Sequence, residues 1–367
     1  MIEQVATGDA VSVGDPVRTK QAAVIVNPTK FTDVDALRRE VTDACTAAGW
    51  AEPIWLLTTA EDTGAGQTRQ ALDDGADLVC ALGGDGTVRA VAEVMVHTGV
   101  PVGLLPGGTG NLLARNLDLP LTDVGESLTV ALNGVDRTID VGRVSFASVP
   151  SEGAAAAAPE QVFLVMAGFG FDAAMMAGAP EKLKARVGWL AYAVSGLRNL
   201  SGPRVKVRIT ADDHQPYARR VQTVLVGNCG KLTGGIVLLP DAEVDDGYLD
   251  AAILSPKGVV GWATVAARVL AKRGHPRVER FRCRELAVSV VDRPQEGQLD
   301  GDTVGLVRSM RTWIDPGALI VRMPRQADGP AGRGEAATGA DAARSHTGTP
   351  ALAADESSSN VEPVPAA

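Results

Sequence analysis

A chain of 367 residues with 45% hydrophobic content is long enough to fill two cores. Its formal charge of −9 excludes general nucleic-acid binding, which requires a basic footprint, and leaves room only for local basic patches. The four cysteines, Cys45, Cys80, Cys229 and Cys283, are too scattered for a Cys-x-x-Cys metal site or a disulfide framework and fit a reducing compartment.

Residues 1–20 include Glu3, Asp9 and Asp15 and lack a basic start followed by an apolar block, so they read as a flexible extension, not a secretory signal. No apolar stretch reaches the roughly 18 residues of a transmembrane helix, so a soluble or peripheral protein is expected. From Ala22 to about Leu132, short apolar runs alternate with helical patterns. The predicted strands are Ala23 to Val26, Pro53 to Leu57, Leu78 to Leu82 and Val102 to Leu105. The predicted helices are Val34 to Ala48, Gln67 to Asp74, Val88 to Val96 and Asn111 to Arg115. This alternation implies a parallel sheet covered by helices, with ligands at the carboxyl ends of the strands.

After about Val141 the pattern turns to strands, at Val162 to Met166, Val205 to Ile209, Gln222 to Val226, Leu249 to Leu254 and Leu286 to Val291. A second, mostly antiparallel domain follows from this, interrupted by helical stretches at Lys182 to Leu197 and Val259 to Lys272. Ser151 to Gln161, with its alanine run, reads as a surface insertion. From about Gln326, Gly, Ala, Ser, Thr and Pro dominate, leaving too little apolar surface to offset the entropy of ordering. The expected division is 1–20, 21–142, 143–324 and a disordered tail at 325–367.

The run Gly83-Gly84-Asp85-Gly86-Thr87 follows a predicted strand and precedes a predicted helix. Glycine at three of four positions allows positive φ and brings backbone N–H groups near an anion, while the helix adds the positive end of its dipole. A carboxylate at Asp85 would repel bound phosphate unless a metal ion or a reacting hydroxyl lies between, which points to phosphoryl transfer. A second loop, Pro106-Gly107-Gly108-Thr109-Gly110-Asn111, repeats the context. Thr109 and Asn111 are either phosphate contacts or helix caps, and each loop alone could be a structural turn. A Rossmann fingerprint fits less well, since the third glycine is missing and the loop follows the third strand; no Walker A loop is present.

Together with Asn27-Pro28 after the first strand and Gly168-Phe169-Gly170-Phe171-Asp172-Ala173, these motifs resemble the diacylglycerol kinase catalytic family of bacterial diacylglycerol kinases, sphingosine kinases and related lipid kinases. The resemblance covers about Ala22 to Arg322. It implies an α/β fold of the NAD kinase and diacylglycerol kinase type, with an N-terminal parallel-sheet ATP-binding domain and a β-rich C-terminal lipid domain. A final strand near Leu319 to Arg322 would return to the first domain. It further implies ATP contacts at Asn27, Thr59, Gly83, Gly84, Asp85, Gly86, Thr87, Gly108, Thr109, Gly110 and Asn111. The Asp245-Asp246-Gly247-Tyr248 turn resembles the family's structural Mg2+ site, with Asp246 giving a carboxylate and Glu243 and Tyr248 backbone carbonyls. By itself that stretch reads equally as a polar hairpin turn. In Leu299-Asp300-Gly301-Asp302, Asp302 matches the family's proposed base, a glutamate in most relatives and here one methylene shorter. Without the family this too is an Asp-Gly turn. Lys30-Phe31 and Arg89-Ala90 also depart, many relatives having Ser-Gly and Asn-Glu there.

His97, His214, His275 and His346 have no metal-ligand spacing. Lys272, Arg273, Arg277, Arg280, Arg282 and Arg284 follow the apolar helical set Val259, Trp262, Val265 and Val269, which suits either a solvated face or docking on an anionic bilayer. The expectation is an ATP- and Mg2+-dependent lipid kinase, cytoplasmic, acting on diacylglycerol or a related membrane lipid, with Asp302 and Asp85 as catalytic residues. Peripheral contact with the inner membrane face and a homodimer stay open. The competing readings are a NAD kinase-like enzyme for a soluble substrate and a nucleotide-binding regulator without catalysis.

Overall fold

The structure, a computed structural model, describes residues 18–148, 159–170, 204–232, 237–256, 261, 264 and 278–325. Its N-terminal half is a parallel sheet of β1 (Ala22–Val26), β2 (Ile54–Leu57), β3 (Leu78–Gly83) and β4 (Val102–Pro106), in the spatial order β4, β3, β1, β2. The helices are α1 (Val34–Ala47), α2 (Ala65–Asp73), α3 (Asp85–Met95), α4 (Leu112–Asn116) and α5 (Val124–Asn133).

β1 is buried along its whole length because alternate residues meet different helices. Ala23 and Ile25 join a cluster with Val91, Ala92 and Met95 of α3. Ala22, Val24 and Val26 pack with Leu37, Val41 and Cys45 of α1 and Leu128 and Leu132 of α5. α5 was not expected from the periodicity. Its start carries a capping signal, Asp123 followed three residues later by Glu126, and Asp123 Oδ1 accepts from the Glu126 N–H at 3.1 Å.

The second half is antiparallel, as expected: β6 (Glu160–Phe163), β7 (Met166–Phe169), β8 (Val205–Ala211), β9 (Tyr217–Val221), β10 (Thr223–Gly227), β11 (Leu249–Leu254), β12 (Val278–Cys283), β13 (Glu285–Val290) and β14 (Gln295–Leu299). Two long strands tie it to the first half. β5 (Val135–Ser148) and β15 (Asp302–Met323) pair antiparallel from Val135 against Met323 to Ser148 against Val307, and Val321 lies in parallel register with Val102 of β4. The anticipated final strand is therefore only the end of a 22-residue one. Gly305, Pro316 and Gly317 disguise it in the sequence; Pro316 and Gly317 fall in the irregularity between Asp315 and Leu319, where a strand tolerates them.

The single strand expected over Val162 to Met166 is two strands, broken at Leu164 and Val165. The expected helices over Lys182 to Leu197 and Val259 to Lys272 lie outside the described residues apart from positions 261 and 264, as do most of the insertion, the tail and Phe171 to Ala173. No helix among the described residues is long and apolar enough to cross a membrane.

Asp140, on β5 and only 3% exposed, joins three segments. Its carboxylate accepts from the Gly247 and Gly317 N–H groups, each at 2.7 Å, and its own carbonyl accepts from Asn228 Nδ2 at 2.9 Å. Both glycines have positive φ, +74° and +61°, so the turn and the bulge they form are held by one carboxylate. Replacing Asp140 by Ala leaves two amides without their acceptor. The expected loss is about 2–4 kcal/mol, read as a lower urea midpoint at unchanged slope. A midpoint equal to that of the native chain would contradict this role.

Candidate active site

Both glycine loops lie at the carboxyl ends of neighbouring parallel strands, β3 and β4. Gly83 closes β3, Gly84 caps α3, and the helix starts at Asp85, three residues before its predicted start. Gly84 has φ −92°, and neither Gly83 nor Gly86 is among the positive-φ residues, so the reason anticipated for these glycines is wrong. The tight approach is made from the second loop: a Cβ on Gly108 would stand 2.8 Å from Gly84 Cα, so the loops cross backbone against backbone. A Cβ on Gly83 would instead meet the Thr87 side chain at 2.7 Å, and one on Gly84 or Gly86 would meet nothing nearer than 3.8 Å.

Asp85 bridges the loops. Its Oδ1 accepts from the Leu112 N–H, at the start of α4, at 2.6 Å, and a Cβ on Gly110 would collide with its Oδ2. Burial pushes the Asp85 carboxyl up to about 6; the Leu112 and Asn111 N–H groups oppose this, and the Asp300 and Asp302 charges add to it. One oxygen of the carboxylate expected to face metal or hydroxyl thus caps the second loop.

Asn111 takes the left-handed conformation, φ +47°, and closes its own loop: Nδ2 donates to the Gly108 carbonyl at 2.8 Å and Oδ1 accepts from the Gly108 N–H at 3.2 Å. It occupies the N-cap position of α4 but makes no side-chain cap bond there. Thr109 is exposed between them. Asn27 Oδ1 accepts from the Thr29 N–H and hydroxyl at 3.1 and 2.7 Å, shaping the turn after β1. In the turn after β2, the Thr59 hydroxyl accepts from the Asp62 N–H at 3.1 Å. That same turn sends Asp62 to cap α2 through the Gly64 and Gly66 N–H groups.

Across from the loops stands the turn between β14 and β15. Leu299 pairs with Asp302, and the two residues between them, Asp300 and Gly301, have φ +47° and +95°, as a tight hairpin turn requires. Asp300 is buried, and its carboxylate accepts from three successive N–H groups, Leu164 at 3.0 Å, Val165 at 2.8 Å and Met166 at 3.0 Å. Burial pushes its carboxyl up, against the pull of Arg89 and those three amides. Asp302 instead faces the cleft: its side chain is 59% exposed, and its Oδ2 lies 3.8 Å from where a Cβ on Gly86 would stand. Arg89 of α3 donates to Asp302 Oδ2 at 2.9 Å and to the Leu299 carbonyl at 3.0 Å.

The turn at Asp245 to Tyr248 is separate from this cleft in the sheet, lying before β11. Asp246 Oδ1 accepts from the Tyr248 N–H at 2.9 Å, and its Oδ2 is paired with Arg282. Arg282 and Arg284 lie over the Tyr248 ring at 4.8 and 5.1 Å. Glu243 is exposed; with Asp241 it adds to the burial that pushes the Asp250 carboxyl up to about 6. No group of three His, Cys, Asp or Glu residues able to hold a metal occurs among the described residues. The arrangement does not fit Mg2+ as it stands, because a guanidinium already meets the one carboxylate assigned to it. Arg280 donates to the Leu238 carbonyl at 3.1 Å, so three members of the basic run are engaged within the fold along β12 and its end. Lys272, Arg273 and Arg277 lie outside the described residues.

Two cleft residues escaped the sequence reading. Arg89 was noted only as a departure, although an arginine four residues after Asp85 shares its helix face. Lys30 brings its Cε 3.9 Å from where a Cβ on Gly84 would stand, a cation beside a phosphate-type loop.

Residues 21–144 match the family described as diacylglycerol kinase catalytic domain, and residues 165–323 match the YegS C-terminal NAD kinase beta sandwich-like domain. The chain is similar to the diacylglycerol kinase of Bacillus subtilis (strain 168), 28% identical over 68% of this chain and 79% of that one. It is 31% identical to the "Probable lipid kinase YegS-like" of Pseudomonas aeruginosa, over 70% of this chain and 79% of the relative. The fold resembles the crystal structure of a diacylglycerol kinase from Bacillus anthracis str. Sterne, with TM-score 0.62 and 21% identity, covering 84% of this chain and 98% of that one.

The raised Asp85 value carries a consequence for stability. Its value in the fold, about 6, exceeds the reference 3.8, so the fold favours the protonated form and loses stability as pH rises through that window. An Asp85→Asn protein keeps an acceptor for the Leu112 N–H and carries no charge. Its advantage over the native chain should grow from pH 4 to 6 and level off at about 1–3 kcal/mol, as measured by denaturant unfolding across pH. A difference that stays constant from pH 4 to 7.5 would exclude the burial argument.

Proposed function

Because the chain belongs to the family of diacylglycerol kinases and YegS-like lipid kinases, we propose that it transfers the γ-phosphoryl group of ATP to the hydroxyl of diacylglycerol, giving phosphatidic acid. The observation that carries this reading is the 3.8 Å approach of the Asp302 carboxylate to the Gly86 position, in the first turn of α3. A proton acceptor there faces the end of the helix at which a polyphosphate would lie.

The loop N–H groups from Gly84 to Thr87, the dipole of α3 and the Lys30 ammonium hold the phosphates. Asp85 keeps the second loop, with Thr109 at its tip, locked against the first. Asp302 takes the proton of the lipid hydroxyl as the hydroxyl oxygen forms its bond to the γ-phosphorus, while the bond from that phosphorus to the bridging oxygen breaks and ADP leaves. Mg2+ carried on the ATP phosphates supplies charge neutralisation when bound. The protein contributes alignment of acceptor, phosphorus and leaving oxygen rather than covalent chemistry. The acceptor resides in a bilayer, so turnover takes place at a membrane surface.

The test is transfer of labelled γ-phosphate to diacylglycerol in mixed micelles and to a total lipid extract, with products identified by mass. Labelled phosphatidic acid is expected, and Asp302→Ala should lower its formation about a hundredfold or more. Full activity of that variant would remove Asp302 from the chemistry. Labelled NADP in the absence of any labelled lipid would replace the lipid acceptor with a soluble one, and tight ATP binding without turnover would leave a nucleotide-binding regulator.

A further inference from the structure

We propose that Arg89 is the positioning residue for Asp302, clamping the turn between β14 and β15 onto α3 so that one carboxylate oxygen is held and the other is presented to the acceptor hydroxyl. The inference rests on the reading of Asp302 as the base.

The guanidinium makes two bonds with two different groups. Nη1 donates to the Leu299 carbonyl at 3.0 Å and Nη2 to Asp302 Oδ2 at 2.9 Å, and these two residues are the pair that flanks the Asp300-Gly301 turn. The planar fork therefore fixes the direction of the Asp302 side chain relative to the neighbouring strand of its hairpin, β14, which a point charge such as lysine would do less well. Among the described residues no hydrogen bond reaches Asp302 Oδ1, and the side chain is 59% exposed. Held only by its own rotamers, so short and exposed a carboxylate would sample several directions.

Arg89 stands four residues after Asp85 and three after Gly86, on one face of α3. The helix whose first turn meets the phosphates thus also holds the proton acceptor. Asp85, Asp300 and Asp302 all act on this region, and Arg89 is the cation that offsets the charge at Asp300. In the chain, Arg89 and Asp302 were two separate departures from the resembled pattern. In the fold they are one contact, a shorter acid met by a longer base. The Asp302 end of the pair is exposed, so the Arg89–Asp302 bond itself contributes little to global stability and its effect belongs to geometry.

The test is a two-by-two cycle of native, Arg89→Ala, Asp302→Asn and the double variant. It is measured as single-turnover phosphate transfer with enzyme in excess, beside the ATP dissociation constant and unfolding midpoint of each. Arg89→Ala should lower the transfer rate about 10- to 100-fold and leave ATP binding within about twofold, while the unfolding midpoint reports separately the loss of the cation facing Asp300. Arg89→Lys should recover part of that rate. In the Asp302→Asn background the same Arg89→Ala change should alter the rate less than about twofold, because its route of action is gone. An unchanged rate in Arg89→Ala, an equal loss in both backgrounds, or a loss accounted for by weaker ATP binding would each overturn the proposal. Absence of lipid product from the native chain would overturn the functional reading instead. If NAD accepts the phosphate, the same cycle is read on NAD and decides the role of Arg89 unchanged.

Discussion

The candidate site depends on one buried carboxylate. Asp300 is 4% exposed, and a carboxylate so far from water is costly unless donors surround it. Three consecutive N–H groups, Leu164 to Met166, converge on it. Successive N–H groups of a regular strand point to opposite sides, so this convergence requires the strand to break, and β6 and β7 part there. The Asp300 N–H donates back to the Met166 carbonyl at 2.8 Å, so the turn is docked in both directions. The hairpin tip is thereby fixed in the sheet, and Asp302, two residues on, projects over the start of α3.

The opposite wall of the cleft is held by a similar device with less burial. Asp85 caps α4 from the first turn of α3, and the two loops it joins touch at Gly84 and Gly108. Any side chain at Gly108 would separate the strand ends that carry the loops. Desolvating Asp85 works against the fold at neutral pH, which is the usual compromise of a site built for charge rather than for stability.

Much of this was legible in the chain. The alternation from Ala22 to Leu132 identified the parallel sheet, and the glycine punctuation placed both loops at the carboxyl ends of its strands, because period and punctuation are local properties. The strands β5 and β15 were not legible, since Pro316 and Gly317 break the β pattern at an irregularity against β5 and Gly305 at one against β14, which only the partner strands explain. The split between β6 and β7 was hidden for a different reason: its cause, Asp300, lies 134 to 136 residues away. The reason for the glycines of the first loop was also misjudged. Gly83 lies against the Thr87 side chain and Gly84 lies across from Gly108 of the second loop, neighbours that no φ preference reports. Asp302 was found through the family pattern, whereas its contact with Arg89 needed coordinates.

The pairing of β5 with β15 also bears on how the chain can be divided. The polypeptide leaves the N-terminal half along β5 and returns beside it along β15, so both crossings belong to a single ribbon. Val321 lies against β4, the Ala318 carbonyl accepts from the His97 N–H at 2.8 Å, and Arg325 Nε donates to the Asn133 carbonyl at 2.8 Å. A fragment ending near residue 142 would lack all three and would leave β4 as a bare apolar edge, open to pairing with other chains. The N-terminal half is thus not a module of covalent sequence. Its last strand is delivered only after the whole sandwich has been synthesised, so its folding is completed from the far end of the chain.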